Sequence, residues 1–156
     1  RSGSKAAAVV TLLLDAAKGW LPVALVRWFG APFGLEEGTM AMVGLAAFAG
    51  HLWPVFFRFE GGKGVATAAG VLLALHPLLG LGVLVSWLLI AFFFRYSSLA
   101  ALVAAVFAPL WYLFLFRPDP IAAAVAVMSA LLIWRHSGNI RNLISGRESR
   151  IGQKKK

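Results

Sequence analysis

Residues 78–116 read LLGLGVLVSWLLIAFFFRYSSLAALVAAVFAPLWYLFLF. Two apolar runs, 78–94 and 99–116, flank the short polar segment 95–98. Each run has close to the roughly 20 residues that an α-helix needs to cross the hydrocarbon core of a bilayer. This stretch predicts two membrane-spanning helices joined by a polar connection, and therefore an integral membrane protein.

Four further apolar stretches surround this pair, at positions 6–26, 39–50, 65–75 and 121–134. Two of them are short: the stretch 65–75, at 1.5 Å rise per residue, covers only about 17 Å. Short helices in membrane proteins adjoin protein or a polar cavity, because lipid cannot satisfy free backbone groups. We therefore predict an all-α, polytopic membrane bundle of about six transmembrane or re-entrant helices, forming a single domain over residues 1–156.

The composition agrees with this prediction. Of 156 residues, 60% are hydrophobic and only 13% are charged, whereas soluble domains are about half apolar and a quarter charged. The absence of cysteine excludes disulfides, zinc–thiolate sites and iron–sulfur clusters. The net charge of +9 would suit nucleic acid, but in so apolar a chain it favours a membrane protein with a basic cytoplasmic side, and no nucleic-acid partner is expected.

The basic residues predict how the helices are oriented. With the C-terminus in the cytoplasm, the outer loops hold only Arg27 and Arg117, and Lys18 lies within the first stretch. The cytoplasmic segments hold the other twelve of the fifteen Lys and Arg residues: Arg1, Lys5, Arg58, Lys63, Arg95, Arg135, Arg141, Arg147, Arg150, Lys154, Lys155 and Lys156. This positive-inside pattern predicts a multi-pass protein of the bacterial cytoplasmic (inner) membrane with its functional loops on the cytoplasmic face. The tail 152–156 is suited to anionic lipid.

The most informative polar segment is GHLWPVFFRFEGGKGVAT at residues 50–67. Three glycines around Lys63 lead into a helix, so that backbone N–H groups can approach an anion near the positive end of the helix dipole. It is not a Walker P-loop, because Phe57 and Gly64 stand where that motif has glycine and Ser or Thr. Loop composition alone leaves two interpretations open: a phosphate-binding loop, or a flexible membrane turn with one lysine.

A second polar cluster, RHSGNIRN, lies at residues 135–142, where the last helix leaves the membrane. His136 and Asn139 are spaced i, i+3 and share a face if the helix continues. They could bind a hydroxyl or a phosphate, and the alternative is an ordinary basic stop sequence.

Three other groups of polar residues have mainly structural interpretations. Asp15 and Lys18, also spaced i, i+3, are predicted to form a structural ion pair near the site, with a catalytic dyad as the alternative. Ser97 and Ser98 begin a predicted helix, where an N-cap is the simpler explanation. His76 precedes Pro77 and is predicted to be a turn residue.

The acidic residues argue against a metal enzyme. They are scattered along the chain, as Asp15, Glu36, Glu37, Glu60, Asp119 and Glu148. We expect no carboxylate cluster for paired metals, and no metal or other cofactor. None of the three histidines has an aspartate five places on, so the H-x-x-x-x-D acyltransferase arrangement is also missing.

Taken together, these stretches resemble the bacterial acyl-phosphate:glycerol-3-phosphate acyltransferase family (PlsY). Residues 50–67 look like its G-H-x-x-P-x-F-x-x-F-x-G-G-K-G-V-A-T, and residues 135–140 like its R-H-x-x-N-I. Residues 15–19 are similar to its D-x-x-K-G, and residues 96–99 to its serine-bearing loop. The resemblance implies seven helices in the full-length family. Its first helix and the segment S-G-N-x-G-A-T-N-x-x-R would precede this chain, with only the final arginine present, as Arg1.

The resemblance also implies roles for individual residues. The catalytic group is Lys63, Ser98, His136 and Asn139. The phosphate-binding group is Arg1, His51, Gly61, Gly62, Lys63 and Gly64. Asp15, Lys18, Arg141 and Glu148 support them, where Arg141 stands one place before the arginine of the family's N-I-x-R-L.

The implied reaction is transfer of a fatty acyl group from acyl phosphate to glycerol 3-phosphate, giving lysophosphatidic acid, the first step of bacterial phospholipid synthesis. The partners are then acyl phosphate, glycerol 3-phosphate and membrane lipids. Two other hypotheses remain: an acyltransferase that uses acyl-CoA, and a non-catalytic membrane transporter of small anions. Transport predicts polar residues that continue to the outer face, where the loops are sparse.

Overall fold

The computed structural model describes residues 4–153, and Arg1 and Lys154–156 lie outside them. Seven α-helices and no β-strand occur in this part of the chain. They are α1 (Lys5–Phe29), α2 (Glu37–Leu52), α3 (Val65–Leu75), α4 (Pro77–Phe94), α5 (Ser97–Leu115), α6 (Pro120–Arg135) and α7 (Ser137–Ile144). The six predicted helices are confirmed, and α7 is an addition.

Four segments are long and apolar enough to cross a membrane: α1, α2 with the turn after it, α4 and α5. The pair α6 and α7 makes a fifth if it is taken as one span bent by 57°. Helix α3 has only 11 residues and is too short. Most of the large apolar side chains that face outward therefore face lipid rather than water.

The short helix α3 fills the centre of the bundle, where seven of its residues are buried. It packs against α1 through two glycines. A Cβ atom on Gly70 would lie 2.0 Å from the carbonyl oxygen of Ala16, and one on Gly19 would lie 2.3 Å from that of Thr67. These backbones can approach so closely only because both side chains are missing. These contacts place the start of α3 level with Asp15 of α1. The ten residues of α1 that precede Asp15 therefore extend about 15 Å past the start of α3.

At the opposite end of α3, two polar side chains join the helices. Arg27 donates from Nη1 to the carbonyl oxygens of Ala74 and Leu75, at 3.1 and 2.8 Å, and so satisfies the free carbonyls of this short helix. His76 stacks on Phe116 with ring centroids 4.1 Å apart, between α3 and α4. His76 is thus the turn residue that the sequence predicts.

One condition set by the sequence is not met, and one local prediction is wrong. Helix α6 does not continue through His136, because the chain bends there and α7 starts at Ser137. His136 and Asn139 are therefore not two positions on one straight helix. Neither Ser97 nor Ser98 is the N-cap of α5, since that position is Tyr96 and has no side-chain cap.

Candidate functional site

The loop that precedes α3 is the first component of the site. We call residues 61–64 the glycine loop. Gly64 is the N-cap residue of α3, in a left-handed conformation (φ 78°), and no side chain caps the helix. The first N–H groups of α3 are thus free of a helical partner, and the exposed side chain of Lys63 lies beside them. Free N–H donors and a cation at a helix N-terminus are suited to an anion.

The end of α2 packs directly against the glycine loop. A Cβ atom on Gly61 would lie 2.2 Å from the carbonyl oxygen of His51, and one on Gly62 would lie 2.4 Å from its ring atom Nε2. The His51 ring therefore occupies the space that a side chain at Gly62 would need. This packing gives the two glycines a reason beyond access to an anion.

The predicted ion pair of α1 lies on the other side of this ring. Lys18 Nζ donates to Asp15 Oδ1 at 2.7 Å, and the same oxygen lies 3.6 Å from His51 Nδ1. The Asp15–Lys18 pair is thus confirmed as a contact. It connects α1 to the glycine loop through His51.

Arg135, the last residue of α6, binds the backbone of the glycine loop. Its Nη2 donates to the carbonyl oxygen of Gly61 at 2.7 Å and to that of Gly62 at 3.2 Å, and Nε also reaches Gly62 at 3.3 Å. Because the guanidinium binds carbonyl oxygens, the N–H groups of the loop stay available. Arg135 is not among the site residues predicted from the sequence, although it opens the R-H-x-x-N-I motif. Arg141, predicted to support the site, is exposed on α7.

We expect Arg135→Lys to lower kcat/KM for the acyl transfer that the resemblance implies by about tenfold to a hundredfold, because an ammonium group cannot reproduce a fork that holds two carbonyls. The melting temperature in detergent should change little. Arg117→Lys, the same exchange at an exposed position of the loop between α5 and α6, is the control. An Arg135→Lys enzyme with full activity would show that the fork does not position the loop.

Glu148 joins two of the predicted catalytic residues. Its Oε1 accepts hydrogen bonds from Ser98 Oγ at 2.6 Å and from Asn139 Nδ2 at 2.7 Å. Ser98 lies in the first turn of α5 and Asn139 lies in α7, so one carboxylate connects the two helices. The hydroxyl of Ser98 serves this contact rather than capping α5.

The segment after α7 brings Glu148 to this position. We call residues 145–153 the C-terminal strap. It docks on the connection between α4 and α5 through hydrogen bonds in both directions between Arg95 and Ile151, and Arg150 Nε donates to the hydroxyl of Tyr96 at 3.0 Å. These contacts attach the strap beside the start of α5 and so hold Glu148 close to Ser98.

The charge of Glu148 is stabilised in place. Burial raises the pKa of this carboxyl, but hydrogen bonds from Ser98, Asn139 and Asn142, together with the positive charge of Lys63, outweigh burial and hold the pKa below its usual value. Lys63 therefore lies within electrostatic range of Glu148. The charge of Lys63 thus acts on the same carboxylate that binds Ser98 and Asn139.

A folded-state pKa below the unfolded one means that the carboxylate stabilises the fold above the ordinary carboxyl pKa, and that this contribution is lost as pH falls through the folded value. We expect wild type to melt at a higher temperature than Glu148→Gln at pH 7, and the difference to shrink as pH falls below about 4. Thermal unfolding in detergent across this pH range measures it. A difference that stays constant with pH would contradict the prediction.

His136 lies at the bend between α6 and α7 and is 2% exposed. Its Nδ1 is 2.8 Å from the carbonyl oxygen of Leu132. A carbonyl only accepts, so Nδ1 carries the hydrogen and Nε2 of the neutral ring is left as an acceptor. The charge of Lys63 also reaches this ring. The site thus offers a fixed acceptor, a cation and free N–H donors.

An apolar cleft of about 350 Å³ opens between α1, α3, α4, α5 and α6. Within residues 4–153, Ser129 is the only hydroxyl side chain that lines it, and Trp87 contributes an indole whose N–H has no partner there. The remaining lining is aliphatic, with alanines along α5. Such a space suits a hydrocarbon chain.

The structure thus brings Lys63, Ser98, His136, Asn139 and Glu148 together at one end of the bundle. His51 packs against the glycine loop at the same end, and the Asp15–Lys18 pair lies next to His51. Arg1 lies outside the described residues. No group of three His, Asp or Glu side chains that could hold a metal ion occurs between residues 4 and 153.

Comparison with known proteins places this geometry among acyltransferases. The family model described as glycerol-3-phosphate acyltransferase matches residues 1–146. A glycerol-3-phosphate acyltransferase of Albidiferax ferrireducens is 64% identical over 99% of this chain and 71% of its own length. One from Paraburkholderia phytofirmans is 64% identical over 100% of this chain and 73% of its own.

Two crystal structures of PlsY (YgiH), an integral membrane glycerol 3-phosphate acyltransferase, are similar to this fold. The glycerol 3-phosphate form has a TM-score of 0.90 and 39% identity, covering 97% of this chain and 74% of that one. The lysophosphatidic acid form has a TM-score of 0.89 at the same identity, covering 97% and 76%.

Proposed function

The chain belongs to the glycerol-3-phosphate acyltransferase family and is a multi-pass membrane enzyme that acylates glycerol 3-phosphate; we propose that its acyl donor is an acyl phosphate and that it works at the cytoplasmic face of the bacterial inner membrane. The observation that carries the donor proposal is the meeting of a cationic, N–H-rich loop with the end of an apolar cleft. An acyl phosphate has a phosphate group that suits the loop and a hydrocarbon chain that suits the cleft.

Phosphate recognition is assigned to the glycine loop. Both proposed reactants carry phosphate, and the site supplies Lys63 and the free N–H groups at the start of α3 as charge-assisted donors. Arg1 would add a second cation. No metal is needed to neutralise the substrates in this scheme.

The acceptor hydroxyl is assigned to the Ser98–Asn139–His136 group. Glu148 holds Ser98 and Asn139 in fixed orientations, and His136 Nε2 can accept a hydrogen bond from the glycerol hydroxyl. Holding this hydroxyl against the acyl carbonyl supplies much of the acceleration, because the attack becomes effectively unimolecular.

The donor's own chemistry completes the reaction. The glycerol oxygen forms a bond to the acyl carbon, the bond from that carbon to the phosphate oxygen breaks, and inorganic phosphate leaves. No aspartate stands behind His136 as a relay, so we assign the hydroxyl proton to a phosphate oxygen of the substrate. Lys63 and the N–H groups of the loop stabilise the charge that develops on the departing phosphate.

The orientation proposal rests on charge. The site end of the bundle carries Lys63 and Arg135, together with the basic C-terminal segment, whereas the opposite end has Arg27 and Arg117. The positive-inside rule assigns the site end to the cytoplasm, where glycerol 3-phosphate and acyl phosphate would be met.

A donor comparison tests the proposal. Membranes that contain the full chain are given glycerol 3-phosphate with either palmitoyl phosphate or palmitoyl-CoA, and lysophosphatidic acid is measured. We expect product from the acyl phosphate alone. Product from acyl-CoA alone would overturn the donor proposal, and flux of labelled glycerol 3-phosphate through proteoliposomes without donor would favour a transporter.

A further inference from the structure

We propose that Ala108, at the far end of the apolar cleft, sets the longest acyl chain that the enzyme accepts. This inference rests on the proposed function, since it takes the cleft as the place of the acyl chain. Four alanines of α5 line the cleft, all at most 5% exposed: Ala101, Ala104, Ala105 and Ala108. Their small side chains leave the space that the cleft occupies.

The lining of α5 starts at the catalytic end. Ser98, Ala101, Ala105 and Ala108 are spaced i, i+3, i+7 and i+10, which keeps them on one side of the helix. Ten residues separate Ser98 from Ala108, so the row is about 15 Å long. A chain attached at the level of Ser98 therefore passes the alanines in order.

Helix α6 gives the same direction. Val125, Ser129, Leu132 and His136 are spaced i, i+4, i+7 and i+11, and the first three line the cleft. His136 ends the same row. Ser129 is 8% exposed and lines the middle of the cleft wall that α6 forms.

At its far end the cleft meets large buried side chains. One turn beyond Ala108 on α5, Val125 on α6 and Val83 on α4, which all line the cleft, the same sides of these helices continue with Tyr112, Ile121 and Leu79. These are at most 1% exposed and do not line the cleft. They are part of the packed core, which admits no further methylene groups without strain.

Length would be selected by this closure rather than by attraction. The donor's chain comes from the bilayer, whose hydrocarbon is as apolar as the cleft, so each methylene gains little on transfer. A chain that reaches the closed end, in contrast, must displace packed side chains. A steric limit of this kind predicts a sharp cut-off in chain length rather than a gradual preference.

Moving the closed end towards the site tests the inference. Ala108→Leu, Ala105→Leu and Ala101→Leu place the same bulk at three successive depths. Acyl phosphates of increasing chain length, and acyl-CoA donors of the same lengths, are assayed with each variant. We expect the longest accepted chain to shorten in that order, with kcat/KM for the longest donor falling at least about tenfold in Ala108→Leu while the shortest donor is still used.

The control is Ala126→Leu, the same change on the exposed side of α6, which should keep the wild-type profile. Activity with short donors shows that a variant is folded. A cut-off that the three substitutions do not move, or an equal loss for all lengths in Ala108→Leu, would overturn the inference. A use of acyl-CoA in place of acyl phosphate, with the cut-off still shifting, would overturn only the proposed donor.

Discussion

Lys63→Ala is expected to lower acyl transfer by at least about a hundredfold, the effect of removing one preorganised donor from a site of developing charge. Lys63 lies beside the free N–H groups of α3 and within electrostatic range of both Glu148 and His136. Its loss leaves the loop with neutral donors only. The rate of lysophosphatidic acid formation from acyl phosphate and glycerol 3-phosphate, in membranes with matched protein levels, is the measurement.

His136→Ala should lose most activity as well, because it removes the acceptor that is fixed by Leu132. The matched control is His76→Ala. This histidine stacks on Phe116 at the opposite end of the bundle, and its replacement should leave transfer close to wild type. Three variants of equal activity would refute the assignment of the site.

Gly70→Val is expected to prevent folding, and Gly70→Ala to lower the free energy of unfolding by about 3 kcal/mol, the upper range for overpacking a core. The reason is that a Cβ atom at this position would lie 2.0 Å from the carbonyl oxygen of Ala16. Backbone atoms cannot rotate away as a side chain can, so α1 and α3 would have to separate. Unfolding in mixed micelles, followed by circular dichroism, measures the change.

Gly82→Ala is the control for this prediction. It makes the same substitution inside α4, where the nearest atoms to a new Cβ belong to Trp111 at 3.9 Å, an ordinary contact. It should be neutral, or slightly stabilising through better helix propensity. Equal stability of Gly70→Ala and Gly82→Ala would show that the close crossing of α1 and α3 does not hold the bundle together.

Several features of this protein follow from the sequence alone. The apolar runs and their punctuation predict the six long or re-entrant helices, because a membrane segment is specified by length and composition within itself. The same applies to the Asp15–Lys18 pair, whose partners are three residues apart on one helix. The glycine loop could be identified because its motif is continuous along the chain.

The contacts between segments that are far apart in the sequence were decided only by the tertiary structure. Arg135 lies more than seventy residues from the loop that it holds, with separations of 73 and 74, and Glu148 lies 50 residues from Ser98. No local periodicity signals such contacts. They depend on the bend at His136 and on the docking of the C-terminal strap, which are set by packing between helices. The depth of the cleft is equally non-local, because five helices line it and residues from three of them, α4, α5 and α6, define where it ends.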